Sequence, residues 1–314
     1  MDLKNRRILV TGGTGFIGSH VVERLRKEKH ELVVVGKERF DLRYSRATID
    51  MFLETDPEIV IHLAGVTGGI LYNVQHPADL FFENLCIGTN VLYFAKKCSD
   101  VEKFVTIIPG CGYPRDCPVP NRVEDLWNGY PEPTSASYSL AKKMLLVQSI
   151  AYRQQFGFNS IVLIPENVYG PRDRGFRDPE NAHVIPALIS KFVKAVDSGE
   201  DSVTVWGSGD PIRSFYYVED CAEAIIKAME VYDEGEPLNI GIGKPTSIAS
   251  LAHTIAHLTG FHGEISWDRT KPDGQPRRYY DVSRAEKLGI IAKTSLEDGL
   301  RKTIEWYRNW VRKK

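Results

Sequence analysis

The sequence predicts an α/β protein: a doubly wound parallel sheet with a smaller C-terminal domain. Two observations carry this. From Arg7 to about Pro165, short β-branched runs alternate with amphipathic stretches, the rhythm of strands that cross over through helices to parallel neighbours. Between the first strand and the first helix lies the turn Gly12-Gly13-Thr14-Gly15-Phe16-Ile17-Gly18, and glycines there let an anion approach backbone N–H groups at a helix N-terminus. With 314 residues the chain can hold a main domain and a smaller partner.

Strands are expected at residues 8–11, 31–35, 59–62, 104–108 and 160–164, with helices at 17–27, 78–98 and 136–155. Beyond Pro165 the rhythm loosens into loops rich in Gly, Pro and Arg around two helices, 184–196 and 219–232, with a strand near 238–240. The second helix and that strand resemble sheet-packing elements. The expected division is therefore a Rossmann-type dinucleotide-binding domain over 1–165 with a return segment at 215–242, and a substrate-binding domain from 166–214 and 243–314.

Composition excludes several classes of function. A net charge of -1 sets up no global field for nucleic acid, and no stretch approaches the ~20 apolar residues needed to span a bilayer. The apolar run after the basic opening Met1 to Arg7 stops at Thr11-Gly12, too early for a signal peptide, so a cytoplasmic protein is expected. The five cysteines, Cys86, Cys98, Cys111, Cys117 and Cys221, contain no C-x-x-C pair; reduced thiols, with neither a disulfide framework nor a metal site, are the expectation.

Gly12, Gly15 and Gly18, with Thr14, Phe16 and Ile17 between them, form the candidate pyrophosphate site. The second strand runs into Gly36-Lys37-Glu38-Arg39 and lacks an acid at its tip to grip an adenosine ribose. Lys37 and Arg39 instead offer cations to a 2′-phosphate, which favours NADP(H) over NAD; a plain solvated surface is the alternative reading of the two charges. Asp41 and Leu42, Leu63-Ala64-Gly65, and Pro165, Asn167 and Val168, all beyond strand ends, are further candidates for the cofactor.

In Tyr138-Ser139-Leu140-Ala141-Lys142 the phenol and the amine stand four apart and share one helical face. An ammonium beside a phenol favours the phenolate, so the tyrosine is expected to have a lowered pKa and to exchange a proton with a carbonyl or alcohol.

With these motifs in place the chain resembles the GDP-L-fucose synthase family, the GDP-4-keto-6-deoxymannose 3,5-epimerase/4-reductases of the extended short-chain dehydrogenase/reductase superfamily. The likeness runs over nearly the whole sequence, through Thr67-Gly68-Gly69-Ile70, Asn73 with His76-Pro77-Ala78-Asp79, Cys111-Gly112-Tyr113-Pro114, Glu132-Pro133-Thr134, Asn167-Val168-Tyr169-Gly170-Pro171, His183-Val184-Ile185-Pro186-Ala187-Leu188, Val205-Trp206-Gly207-Ser208-Gly209 and Lys271-Pro272-Asp273-Gly274. It implies that Cys111 and His183 move protons at the carbons flanking a 4-keto group and that Tyr138, supported by Lys142, protonates the keto oxygen as NADPH delivers hydride; His183 also borders the cofactor. It further implies a GDP-sugar substrate, with Trp206 and Gly207 at the base, Arg213 at the diphosphate, and Asn167, Lys191 and Arg277 (with its neighbour Arg278) as additional ligands. The fork of an arginine suits two phosphate oxygens. The helices at 78–98 and 136–155 often form a homodimer contact in this superfamily.

One segment departs from the pattern. The family shows Gly-Ser-Ser before its cysteine, and a serine there bonds the keto oxygen; this chain has Ile108-Pro109-Gly110-Cys111. Loss of one such donor typically costs ~3 kcal/mol of barrier. Two readings stay open: an epimerase/reductase in which another group replaces the serine, or an enzyme that mainly epimerises or runs altered redox chemistry. A non-catalytic NADP-binding sensor is a third class, opposed by the joint presence of Tyr138, Lys142, Cys111 and His183.

Overall fold

The computed structural model describes residues 1–314 apart from Met1, Asp2, Lys4, Lys29, residues 98–100, Pro272, Lys314 and the side chain of Glu180. Cys98, the expected end of the second helix, and Pro272 thus lie outside the described residues. In chain order the first part comprises β1 (Arg7–Thr11), α1 (Phe16–Leu25), β2 (Glu31–Val35), α2 (Ser45–Thr55), β3 (Ile59–His62), α3 (Ile70–Gln75), α4 (Pro77–Lys97), β4 (Lys103–Ile107), α5 (Ala136–Phe156) and β5 (Ser160–Pro165). It continues through β6 (Asn167–Tyr169), α6 (Val184–Ser198), β7 (Ser202–Trp206), β8 (Ile212–Tyr217), α7 (Val218–Val231), β9 (Leu238–Ile240), β10 (Pro245–Ser247), α8 (Ile248–Thr259), β11 (Glu264–Asp268), β12 (Arg277–Arg278), α9 (Ser283–Lys287) and α10 (Leu296–Val311).

Six strands form one parallel sheet in the order β2-β1-β3-β4-β5-β9. Successive side chains point to opposite faces, and both faces are covered. Ile8 and Val10 of β1 pack with Val21 and Val22 of α1 and with Ile225 and Met229 of α7, while Leu9 joins Met51 and Phe52 of α2 and Val91 and Leu92 of α4. Burial on both sides explains why β3 and β5 read as unbroken apolar runs. The strand order reverses between β1 and β3, and such a switch point opens a crevice at the carboxyl ends of the strands.

A second core lies beyond β5. Helix α6 presents Ile185, Leu188, Ile189, Phe192 and Val193 on one stripe to Val203 and Val205 of β7, Leu251 and Ile255 of α8, and Leu300 and Ile304 of α10. β7 pairs with β11, and β8 lies between β10 and β12 while also pairing with β6. Tyr307 of α10 stacks on Phe176, with ring centroids 4.8 Å apart. Helices α2, α3, α8, α9 and α10 and strands β6, β7, β8, β10, β11 and β12 go beyond the elements expected from sequence rhythm. These strands are two to six residues long, too short to impose a period.

The four described cysteines are free thiols. No described helix is long and apolar enough to cross a membrane. Phe192 is fully buried and meets Phe261 at 5.3 Å between ring centroids. Phe192→Ala is therefore expected to destabilise the protein by about 3–5 kcal/mol, read as a lower urea midpoint.

Candidate active site

The crevice starts at the glycine turn. Gly12 has φ +71°, and a β-carbon there would lie 2.6 Å from the Ala64 nitrogen, so the turn and the end of β3 touch backbone to backbone. A β-carbon on Gly18 would run into the Gly12 carbonyl. Helix α1 starts at Gly15 with no side-chain cap, which leaves its first N–H groups free to bind an anion. The turn thus fits a dinucleotide pyrophosphate. Sequence reasoning missed Arg174, whose guanidinium would come within 3.8 Å of a β-carbon on Gly15.

Past β2, Lys37 and Arg39 are exposed. Arg39 pairs with Glu54 at 2.7 Å and lies over the Phe40 ring. The strand tip is not free of acid: the Glu38 carboxylate folds back to Gly36, on the side of Thr14. Asp41 is held by Arg43 at 2.6 Å, and Leu42 turns its side chain into the core.

Lys142 reaches the end of β3, with Nζ 3.4 Å from the Ala64 carbonyl. Asn84 of α4, another residue missed from sequence, pins the same loop: its Oδ1 accepts the Val66 N–H at 3.0 Å, and its Nδ2 donates to the Val66 carbonyl at 2.9 Å. Burial pushes the Lys142 amine down to about 8. The Tyr138 phenol goes the other way from expectation: burial and then the Cys111 thiol raise its pKa, and the Thr67 hydroxyl only partly opposes them. Desolvation dominates, so the phenol is kept in its acid form.

Cys111 sits in a short 3-10 turn, Gly110–Gly112, at the end of β4. Buried Lys143 anchors that turn from α5: its Nζ donates to the Gly112 carbonyl at 3.2 Å and to the Leu126 carbonyl, and lies 4.0 Å from the centre of the Trp127 ring. Two phenols, Tyr138 and Tyr280, are close enough to feel the thiol's charge.

His183 is exposed at the N-terminus of α6. The Gly69 N–H donates to the Asn181 carbonyl at 3.0 Å, tying the segment before His183 to the strap that carries Thr67. The buried Asp173 carboxylate accepts the Gly175 N–H at 2.9 Å. Burial raises its pKa, and the nearby His183 opposes that shift.

A second cluster gathers around β8. Trp206 is 49% exposed, with Lys191 and Lys271 near its ring at 5.6 and 5.2 Å. Asp273 clamps the loop beside it, accepting the Ser208 N–H at 2.7 Å and the Ser208 hydroxyl at 2.8 Å; at Gly207, with φ +87°, a β-carbon would strike that carboxylate. Asn167 donates to the Ser214 carbonyl and accepts from Arg278, each at 2.8 Å. Adjacent strand residues face opposite ways, so Arg278 is the inward member of its pair and Arg277 is exposed. Burial and then neighbouring Arg278 push Arg213 down to about 10. Arg213 donates to backbone carbonyls, and the Arg278 Nε is buried without a partner among the described residues. Asp273 is near enough to Arg213 to oppose its downward shift in part, but among the described residues neither guanidinium is ion-paired to a carboxylate, and two such close cations suit an anion.

A parallel sheet with a glycine turn at its switch point, and a Tyr-x-x-x-Lys pair on α5 whose lysine reaches the end of β3, define the extended short-chain dehydrogenase/reductase class. The model of the NAD dependent epimerase/dehydratase family matches residues 8–241. The GDP-L-fucose synthase of Sinorhizobium fredii is 39% identical over 303 residues, 96% of each chain. Among solved structures, a GDP-6-OMe-4-keto-L-xylo-heptose reductase from C. jejuni superimposes with a TM-score of 0.91 at 28% identity, covering 99% of both chains. A GDP-mannoheptose C4 reductase from Campylobacter jejuni with NADP bound gives 0.88 at 30% identity, covering 98% of this chain and 99% of that one. The chain belongs to the NAD dependent epimerase/dehydratase family and, within it, to the GDP-L-fucose synthase family.

The buried amine has a measurable signature. Below pH 8, folded and unfolded chains are both protonated at Lys142, and the fold carries the cost of a buried cation. Between about 8 and 10.5 the unfolded chain binds more protons, so this group's contribution to stability rises with pH. Lys142→Met is therefore expected to raise Tm at pH 7, with a gain that shrinks as pH climbs from 8 to 10.5 in calorimetric scans.

Proposed function

We propose that this chain is an NADPH-dependent epimerase/reductase that acts on a 4-keto sugar linked to GDP. The observation that carries the reading is the grouping of Tyr138, Lys142 and Cys111 at the end of the sheet, with two charge-unbalanced arginines, Arg213 and Arg278, on neighbouring strands.

Lys37 and Arg39 suit the 2′-phosphate of NADPH, and the turn from Gly12 to Gly18 suits its pyrophosphate. When bound, NADPH supplies hydride. Trp206 offers an exposed face to the base, and the two arginines neutralise the diphosphate. Cys111 and His183 exchange protons at the carbons beside the ketone, where carbonyl conjugation makes C–H bonds acidic. Tyr138, kept protonated by burial, delivers its proton to the keto oxygen, and the Lys142 ammonium stabilises the phenolate left behind.

A second reading, epimerisation with little reduction, is favoured by Pro109 and Gly110 standing where the family has serines. One experiment covers both. With GDP-4-keto-6-deoxymannose and NADPH in deuterated water, the first reading expects steady loss of NADPH absorbance and deuterium in the product. Tyr138→Phe should then slow reduction by about 10²-fold or more, and Cys111→Ala should abolish deuterium uptake. Deuterium uptake without NADPH loss selects the second reading, and neither signal sinks both.

The reading includes a cytoplasmic homodimer. Exposed Phe81, Phe82 and Tyr93 on α4 and Val147 on α5 support a contact through this packed helix pair. Phe82→Glu is expected to convert a dimer to a monomer in sedimentation velocity; a wild-type protein already monomeric at micromolar concentration would remove this part.

A further inference from the structure

Pro109 and Gly110 leave the keto oxygen without the hydroxyl that the proposed chemistry wants beside the thiol, yet the space above Gly110 is filled. A β-carbon on residue 110 would all but coincide with the hydroxyl oxygen of Tyr280. The phenol oxygen therefore lies about where a serine side chain at 110 would begin. It comes from the other end of the chain.

The position of Tyr280 is fixed on several sides. Its N–H donates to the Glu166 carboxylate at 3.3 Å. The flanking residues are tied to Asn121, whose N–H donates to the Tyr279 carbonyl at 2.8 Å and whose carbonyl accepts the Asp281 N–H at 3.0 Å. The ring packs against Tyr113, with centroids 5.5 Å apart. Tyr280 is only 3% exposed, and its hydroxyl has no hydrogen-bond partner among the described residues. The ring is held rigidly, its hydroxyl is not one of the chain's sealed-off orphan atoms and so keeps access to solvent, and Cys111, Arg213 and Arg278 lie near enough to feel its charge; a fixed donor so placed points to a ligand atom as its partner. Those three groups are its charged or titratable neighbours together with Glu166.

We propose that Tyr280 donates a hydrogen bond to the keto oxygen of the sugar and so replaces the hydroxyl missing at positions 109 and 110. This rests on the keto-sugar reading above. A carbonyl oxygen has two lone pairs: Tyr138 addresses one and transfers its proton, while Tyr280 addresses the other and keeps its own. Such a donor stabilises negative charge both when a flanking carbon is deprotonated and when the carbonyl is reduced, and its fixed ring requires no reorganisation.

The test uses GDP-4-keto-6-deoxymannose and NADPH. Tyr280→Phe is expected to lower kcat for NADPH oxidation and the rate of solvent deuterium uptake about 10²-fold or more, with KM and the calorimetric Kd for GDP changed by no more than about twofold. Unchanged kcat, or a rise in KM alone, overturns the proposal. A swap guards against a merely structural defect: Tyr280→Leu clears the space above Gly110, and adding Gly110→Ser should restore at least about tenfold of the lost kcat. If Tyr280→Phe also loses GDP binding, this pair decides: rescue supports the proposal, and no rescue overturns it. A wild-type enzyme inert in both assays would instead defeat the keto-sugar reading itself, an outcome visible before any variant is made.

Discussion

The backbone contact between the turn after β1 and the loop after β3 is the constraint on which the site depends. Gly12 lies so close to Ala64 that no side chain fits between them, and this contact sets the floor of the crevice opened by the reversal of strand order. From that floor the other parts take their places. Asn84 holds Val66, the adjoining loop carries Thr67 to Tyr138, and Lys142 reaches the Ala64 carbonyl. The same missing side chains leave the turn open to an anion and let the sheet pack.

Charge burial is the second theme. Lys142 is buried without a carboxylate partner among the described residues, and Arg213 and Arg278 sit side by side. A fold built only for stability would avoid both arrangements, because desolvated cations are costly unless paired. They are tolerated where anionic or developing negative charge is to be received. Tyr138 and Tyr280 are the converse: burial keeps both phenols protonated and able to donate.

The parallel sheet was legible because its strands and crossover helices repeat local patterns, and the glycine turn because its neighbours on both sides were readable. Tyr138 and Lys142 could be paired from spacing alone. The C-terminal third was harder: α10 carries Leu296, Leu300, Thr303, Ile304 and Tyr307 at helical spacing, but charged residues between them dilute the signal. Three features of the site needed tertiary structure. The inward turn of Arg278 rather than Arg277 depends on the register of β12 with β8. The rise in the Tyr138 pKa depends on burial that the lysine spacing does not reveal. The approach of Tyr280 to Gly110 spans 170 positions of chain, and neither residue announces it.

The stack of Tyr307 on Phe176 has a reach beyond the second core. Phe176 ends the turn that begins at Arg174, whose side chain approaches the glycine loop, and Asp173 just before it faces His183. The C-terminal helix is thus a buttress behind Asp173 and Arg174. Changes in its aromatic residues would be felt at the glycine turn and beside His183 through Phe176, with no substitution at either place.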